Sequence, residues 1–177
     1  MSLAYAILAA LTEAECSGYD LAKTFDGSIG YFWAATHQQI YRELAHLESE
    51  GWVTSQTIEQ TERPNKKLFS LTPLGRSKLT EWIAQPSKAS KHKEEILVKL
   101  FAGHLAEPAV LIIELQRVRQ HHQQQLQEYR QIEAQFFAPP LTYGAKCQYL
   151  TLRQGIRYET SWLDWCDEAI ALLNSEA

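Results

Sequence analysis

Residues 36–69 read THQQIYRELAHLESEGWVTSQTIEQTERPNKKLF, a helical period that gives way to an alternating one. In 36–50 the apolar residues Ile40, Leu44 and Leu47 recur at helical spacing. Thr36, His37, Gln38, Tyr41, Arg42 and Glu48 fall on other faces, so one side of this helix packs and another is left to touch something. Thr36 is placed to cap it, and Gly51 ends it, because a residue just past a helix C-terminus adopts a left-handed conformation most cheaply without a Cβ. From Trp52 the period changes to an alternating one. A strand is expected over 52–59, a turn over 60–65 broken by Arg63-Pro64-Asn65, and a second strand over 66–71. A helix running into two short strands joined by a basic loop is the outline of a winged helix-turn-helix with a two-stranded wing.

Upstream of it, residues 2–12 are rich in Ala and Leu and present Leu3, Ile7, Leu8 and Leu11 on a broad apolar face, which reads as a core helix. Ser17 followed by Asp20 is a relative of the capping box and opens a short amphipathic helix through Phe25. Tyr31, Phe32 and Trp33 form an aromatic connector too apolar to lie free in solvent. Downstream, Thr72-Pro73 starts a fourth helix, with Leu74, Leu79, Trp82 and Ile83 expected inward. The polar, small-residue run 85–91 is a linker, so the expected domains are 1–86 and 92–177.

The second half reads as helical throughout. One short helix is expected over 94–104, with Ile96, Leu97, Leu100 and Phe101 as its apolar residues. A long one begins at Glu107-Pro108 and carries a heptad-like seam from Leu111 to Phe136 with a polar middle. The last helix, about 145–174, has an apolar stripe too wide for one partner helix to cover. Two such helices imply a second chain. The fold class is therefore mainly α: a winged-helix N-terminal domain followed by an α-helical dimerisation domain.

The bulk properties narrow the function. A chain of 177 residues that is 45% hydrophobic and 21% charged is an ordinary globular protein with room for a core. No run of roughly eighteen apolar residues is present, and the N-terminus carries no signal-peptide pattern, so no membrane partner is expected and the expected location is cytoplasmic. Cys16, Cys147 and Cys166 are far apart and odd in number, as unpaired thiols in a reducing compartment are. A net charge of −4 argues against indiscriminate coating of nucleic acid. Yet the stretch 63–78 holds Arg63, Lys66, Lys67, Arg76 and Lys78 and neither Asp nor Glu, a local basic edge on an acidic protein.

Candidate contacts to double-stranded DNA follow from these faces. Gln38 suits adenine and Arg42 guanine in bidentate geometry, and Thr36, His37 and Tyr41 lie beside them. Arg63, Asn65, Lys66 and Lys67 at the hairpin suit phosphates. Ser17 and Tyr19, at the start of the second helix, offer an N–H and a hydroxyl to a phosphate, although capping alone explains Ser17 equally well. Tyr31, Phe32, Trp33, Tyr158, Trp162 and Trp165 are candidates to line an aromatic effector cavity, with core and dimer seam as the plainer role. His104, His121, His122, Cys147 and Cys166 show no metal-ligand spacing, so no metal and no cofactor are expected. No catalytic word occurs, and no enzyme is expected.

The words SLAYAILAAL (2–11), SGYDLAK (17–23), GYFWAATHQQIYRELAHLESEGWV (30–53), RPNKKLFSLTPLGRSKL (63–79) and EWI (81–83) together resemble the PadR family of bacterial transcriptional regulators. The helical remainder, with WLDW at 162–165, is similar in layout to the family's virulence-activator-like C-terminal domain. The resemblance implies a homodimer on an inverted-repeat promoter operator, usually a repressor, released by a small effector that is phenolic or drug-like in some members. It puts helix 36–50 in the major groove and the wing, about 59–67, along the backbone or minor groove. One departure is Arg42, where the family usually has Pro after the helix tyrosine; it leaves this helix unbroken and adds a cation. Two rivals stay open: a winged-helix protein-interaction adaptor without DNA binding, and a ligand-sequestering dimer.

Overall fold

The structure is a computed structural model, and it describes residues 2–26, 33–59, 65–87 and 93–175. The chain separates into two compact units, 1–89 and 90–177.

In the first unit the elements run α1 (Ser2–Ala10), β1 (Cys16–Ser17), α2 (Gly18–Asp26), α3 (His37–Ser49), β2 (Val53–Ile58), β3 (Lys66–Leu71) and α4 (Pro73–Ile83). Thr36 caps α3 in a full capping box: its hydroxyl accepts from the Gln39 N–H at 3.2 Å, and the Gln39 side chain accepts from the Thr36 N–H at 2.8 Å. Gly51 ends the helix at φ +71°, with Gly51 N–H donating to the Glu48 carbonyl and Trp52 N–H to the Leu47 carbonyl. Two otherwise orphaned carbonyls are satisfied in this way, and the chain is turned into β2.

The sheet is antiparallel in the order β1-β3-β2, with Thr57 opposite Lys67 and Ile58 opposite Lys66. The third strand was not expected. Cys16 and Ser17 pair with Phe69 and Leu68, a two-residue strand too short to leave a periodic signal. The core joins Ile7, Leu8, Leu21, Ile40, Leu44, Leu47 and Val53, with Trp33 and Trp52 packed against it.

Helix α4 begins at a joint centred on one carbonyl. Trp52 O accepts from the Thr72 N–H at 3.1 Å, and the Thr72 hydroxyl shares its proton between the Gly51 carbonyl at 2.8 Å and Trp52 O at 3.0 Å while accepting from the Gly75 N–H at 3.0 Å. Gly75 itself lies so close that a Cβ there would fall 2.0 Å from Trp52 O. Leu79 is buried, but the inward placement expected of Leu74, Trp82 and Ile83 is corrected: all three are exposed, Trp82 with one ring face stacked on Tyr5 at 4.6 Å. Leu74 lies across the helix from the Gly75–Leu79–Trp82 line, and Ile83 occupies the last turn, where no described residue covers it.

The second unit holds α5 (Glu95–Phe101), a 3-10 turn (Gly103–Leu105), α6 (Pro108–Phe136) and α7 (Tyr143–Asn174). Helices α6 and α7 form the body of the unit. Its two cores are Ile96, Leu115 and Cys166, flanked by Val118, Trp162 and Trp165, and Leu126, Tyr129 and Ile156, flanked by Leu152 and Leu163. Between them His122 Nδ1 meets the buried Glu159 carboxylate at 2.5 Å, with the imidazole stacked on Trp162 at 4.7 Å. On α5, Ile96 and Leu100 face the core while Leu97 and Phe101 are exposed, because a helix of two turns presents only one side to α6 and α7.

Candidate nucleic-acid interface

Helix α3 buries Ile40, Leu44 and Leu47 and leaves Thr36, His37, Gln38, Tyr41 and Arg42 exposed. The capping box commits the Thr36 hydroxyl and the Gln39 amide oxygen, so along this face the side chains reaching furthest are Gln38, Tyr41 and Arg42. Tyr41 leans on the start of α2: a Cβ on Gly18 would fall 2.4 Å from the Tyr41 ring. This close pairing of the first turn of α3 with α2 fixes the angle between the two helices. The exposed line continues through Ala45 and Ser49, small residues that allow close approach and that polarity alone had not singled out.

At the start of α2, Ser17 is buried, and its hydroxyl both accepts the Asp20 N–H at 3.1 Å and donates to the Asp20 carboxylate at 2.7 Å. Its side chain therefore caps the helix. Tyr19 is exposed, with the Lys23 ammonium 5.0 Å from its ring centre.

The wing corrects the charge map. Lys66 Nζ lies 2.9 Å from the Asp20 carboxylate, Lys67 Nζ 2.7 Å from Glu48, and Lys78 Nζ 3.1 Å from Glu81. Three cations of the edge that lacks acids in sequence are thus paired in space: α2 and α3 supply carboxylates to Lys66 and Lys67 from far along the chain, and Glu81 lies one turn on from Lys78. Arg76 is exposed, with no carboxylate partner among the described residues. Hydrogen bonds from the Lys66 ammonium and then the Ser17 hydroxyl hold Asp20 below the ordinary carboxylate pKa. The Lys67 ammonium and then the Ser55 hydroxyl do the same for Glu48. Asn65 is exposed at the foot of β3, while Arg63 lies outside the described residues.

The aromatic candidates for an effector divide between the units. Trp33 packs on the first core; Tyr31 and Phe32 lie outside the described residues. Trp162 and Trp165 pack on the second core, edge to face at 5.1 Å, and Tyr158 donates to Glu94 at 3.3 Å. A cavity of about 280 Å³ in this unit is bordered by Trp162, His122, Ile96, Lys99 and Arg117. Among the described residues no group of His, Cys, Asp and Glu is arranged to hold a metal, and no helix is long and apolar enough to cross a membrane.

Three helices, a small antiparallel sheet and an exposed polar helix face beside the hairpin define a winged-helix regulator class. Residues 7–81 match the transcriptional regulator PadR-like family, and residues 92–174 match the virulence activator alpha C-terminal domain. The chain is 41% identical over 188 residues to the "Probable transcriptional regulator Rv1176c" of Mycobacterium tuberculosis, covering 99% of this chain and 100% of that protein. It is 32% identical over 181 residues to the negative transcriptional regulator PadR of Bacillus subtilis, covering 98% of each. The crystal structure of that PadR in complex with operator DNA matches with a TM-score of 0.87 at 26% identity, over 98% of this chain and 100% of that one. The virulence activator AphA of Vibrio cholerae matches with a TM-score of 0.77 at 34% identity, over 99% of both. This chain belongs to the PadR-like family of transcriptional regulators.

Proposed function

We propose that the protein is a cytoplasmic, non-enzymatic transcriptional regulator, a repressor that binds an inverted-repeat operator as a homodimer. Its DNA-binding domain is 1–86 and its dimerisation domain 92–177. The observation that carries this reading is the exposed Gln38–Tyr41–Arg42 face on a capped, rigid α3, in a chain that matches an operator-bound relative over its length. Gln38 and Arg42 read base edges in the major groove, Thr36, His37, Tyr41 and Tyr19 stand at the groove margin, the N–H groups at the start of α2 next to Ser17 face a phosphate, and Arg63, Asn65, Lys66 and Lys67 follow the backbone.

The test is enrichment of bound duplexes from random DNA by the purified protein, with a palindromic motif as the expected result. In that assay Gln38→Ala and Arg42→Ala are expected to relax preference at single base pairs by about 1–3 kcal/mol each. Arg63→Ala is expected to weaken all sequences alike and to flatten the salt dependence by about one unit of log slope. Enrichment of nothing would favour the adaptor reading, which the pairing of Lys66 and Lys67 with carboxylates supports.

The second ligand is a small aromatic effector. Support comes from the structure of the Bacillus subtilis PadR in complex with p-coumaric acid, which this chain matches at a TM-score of 0.80 and 25% identity over 99% of its length. Trp162 offers a ring face to such a molecule at a cavity whose Lys99 and Arg117 cations are paired with Glu95 and Glu114, and Trp165, Tyr158, Trp33, Tyr31 and Phe32 are the other aromatic groups within the proposal. Titration with p-coumaric acid is expected to quench tryptophan emission and to lower operator affinity over the same concentration range. Quenching without loss of DNA affinity would refute the effector role.

A further inference from the structure

The two wing lysines are held by helix carboxylates, and each carboxylate is itself anchored by a serine of the sheet. Asp20, in the first turn of α2, takes Lys66 at 2.9 Å and the Ser17 hydroxyl of β1 at 2.7 Å. Glu48, in the last turn of α3, takes Lys67 at 2.7 Å and the Ser55 hydroxyl of β2. The arrangement recurs on both sides of β3, from different helices and different strands. Glu48 is also misplaced for helix stability, since an acid in the last turn opposes the helix dipole. Its geometry is explained by what it holds.

We infer that Asp20 and Glu48 restrain DNA affinity, by competing with backbone phosphates for the ammonium groups of Lys66 and Lys67. The inference rests on the DNA-binding reading above. Both pairs are solvent-exposed, so each is cheap to open and acts as a brake, not a block. A lysine already paired brings no net charge to the duplex: exchanging its carboxylate for a phosphate leaves that carboxylate beside the DNA and releases no counterion. Neutralising the acid restores one net positive charge at that point.

The test uses Glu48→Gln and Asp20→Asn in the full chain, with a labelled duplex enriched by the parent protein, titrated between about 50 and 200 mM salt. Gln at 48 can still accept from Ser55 and Asn at 20 from the helix N-terminus, and thermal unfolding checks that both variants fold. Each variant is expected to bind about two- to fivefold more tightly at the low-salt end, with a log–log salt slope steeper by about one unit. The two effects are expected to add, since the pairs share no partner. A merely structural role for the pairs would not steepen the salt slope. Variants that bind like the parent, or more weakly because the wing has lost its tether, would overturn the inference while leaving DNA binding intact. A parent that enriches no duplex would overturn both readings together.

Discussion

Gly75→Ala is expected to lower the unfolding free energy of the first unit by about 3 kcal/mol, the sum of overpacking and a lost hydrogen bond. Helix propensity alone argues the other way, since Ala is better than Gly inside a helix by about 1 kcal/mol. The geometry decides the sign. The added Cβ would fall 2.0 Å from the Trp52 carbonyl oxygen and 2.9 Å from its carbon, and these are backbone atoms that no rotamer change can move. Helix α4 must lift away, and as it lifts it draws Thr72 off the same carbonyl. Gly144→Ala is the matched control, with nothing within 4 Å of its would-be Cβ; it is expected to be neutral or mildly stabilising. Urea unfolding followed by circular dichroism separates the two, and a Gly75→Ala midpoint equal to the parent's would refute the close approach.

The largest functional effect is expected from Val98→Asp combined with Phe101→Asp. Helix α5, the 3-10 turn and the first turns of α6 expose Val98, Phe101, Leu105, Val110 and Ile113 together, with Phe101 91% exposed. Val110 and Ile113 also border a groove of about 460 Å³, with Ala102, Gly103, Ala106 and Leu111 as its floor and Lys99 and Glu114 at its edge. Apolar side chains of this size left in water forfeit about 1.5–3 kcal/mol each relative to burial, so a second copy is the natural cover for this patch in a homodimeric regulator. In a two-fold interface every substitution acts twice. The double variant is expected to be monomeric by light scattering, and its operator affinity to fall at least about a hundredfold, as two linked half-site contacts become independent. The fold of the unit is expected to survive, because exposed positions away from the core tolerate charge. A double variant that remains dimeric would place the interface elsewhere.

The first unit was legible because its boundaries are chemical. Thr36, Gly51 and Thr72-Pro73 each satisfy or terminate a helix end by a mechanism readable from residue type, and Ile40, Leu44 and Leu47 are the buried residues of α3. What escaped was long-range or too short. A two-residue β1 leaves no period, and no local pattern links Lys66 to Asp20 or Lys67 to Glu48. The wing consequently read as a bare cationic edge. In the second unit, periodicity found apolar stripes without saying which are covered within the chain: Ile96 is buried, while Phe101 on the same short helix is exposed. Leu126 and Glu159 were missed for a related reason, since the inward line of a long helix drifts off a strict heptad.

The buried His122–Glu159 pair carries a mechanical meaning for the α6–α7 hairpin. Leucine and isoleucine seams are nearly indifferent to a slide of one helix past the other, because each new position offers another apolar neighbour. A lone carboxylate inside that seam is not indifferent. Moving α7 by a single turn would strip the buried Glu159 carboxyl of its imidazole partner and leave a buried polar group unsatisfied, a loss of about 1–3 kcal/mol. The pair acts as a detent that fixes the register of α6 against α7.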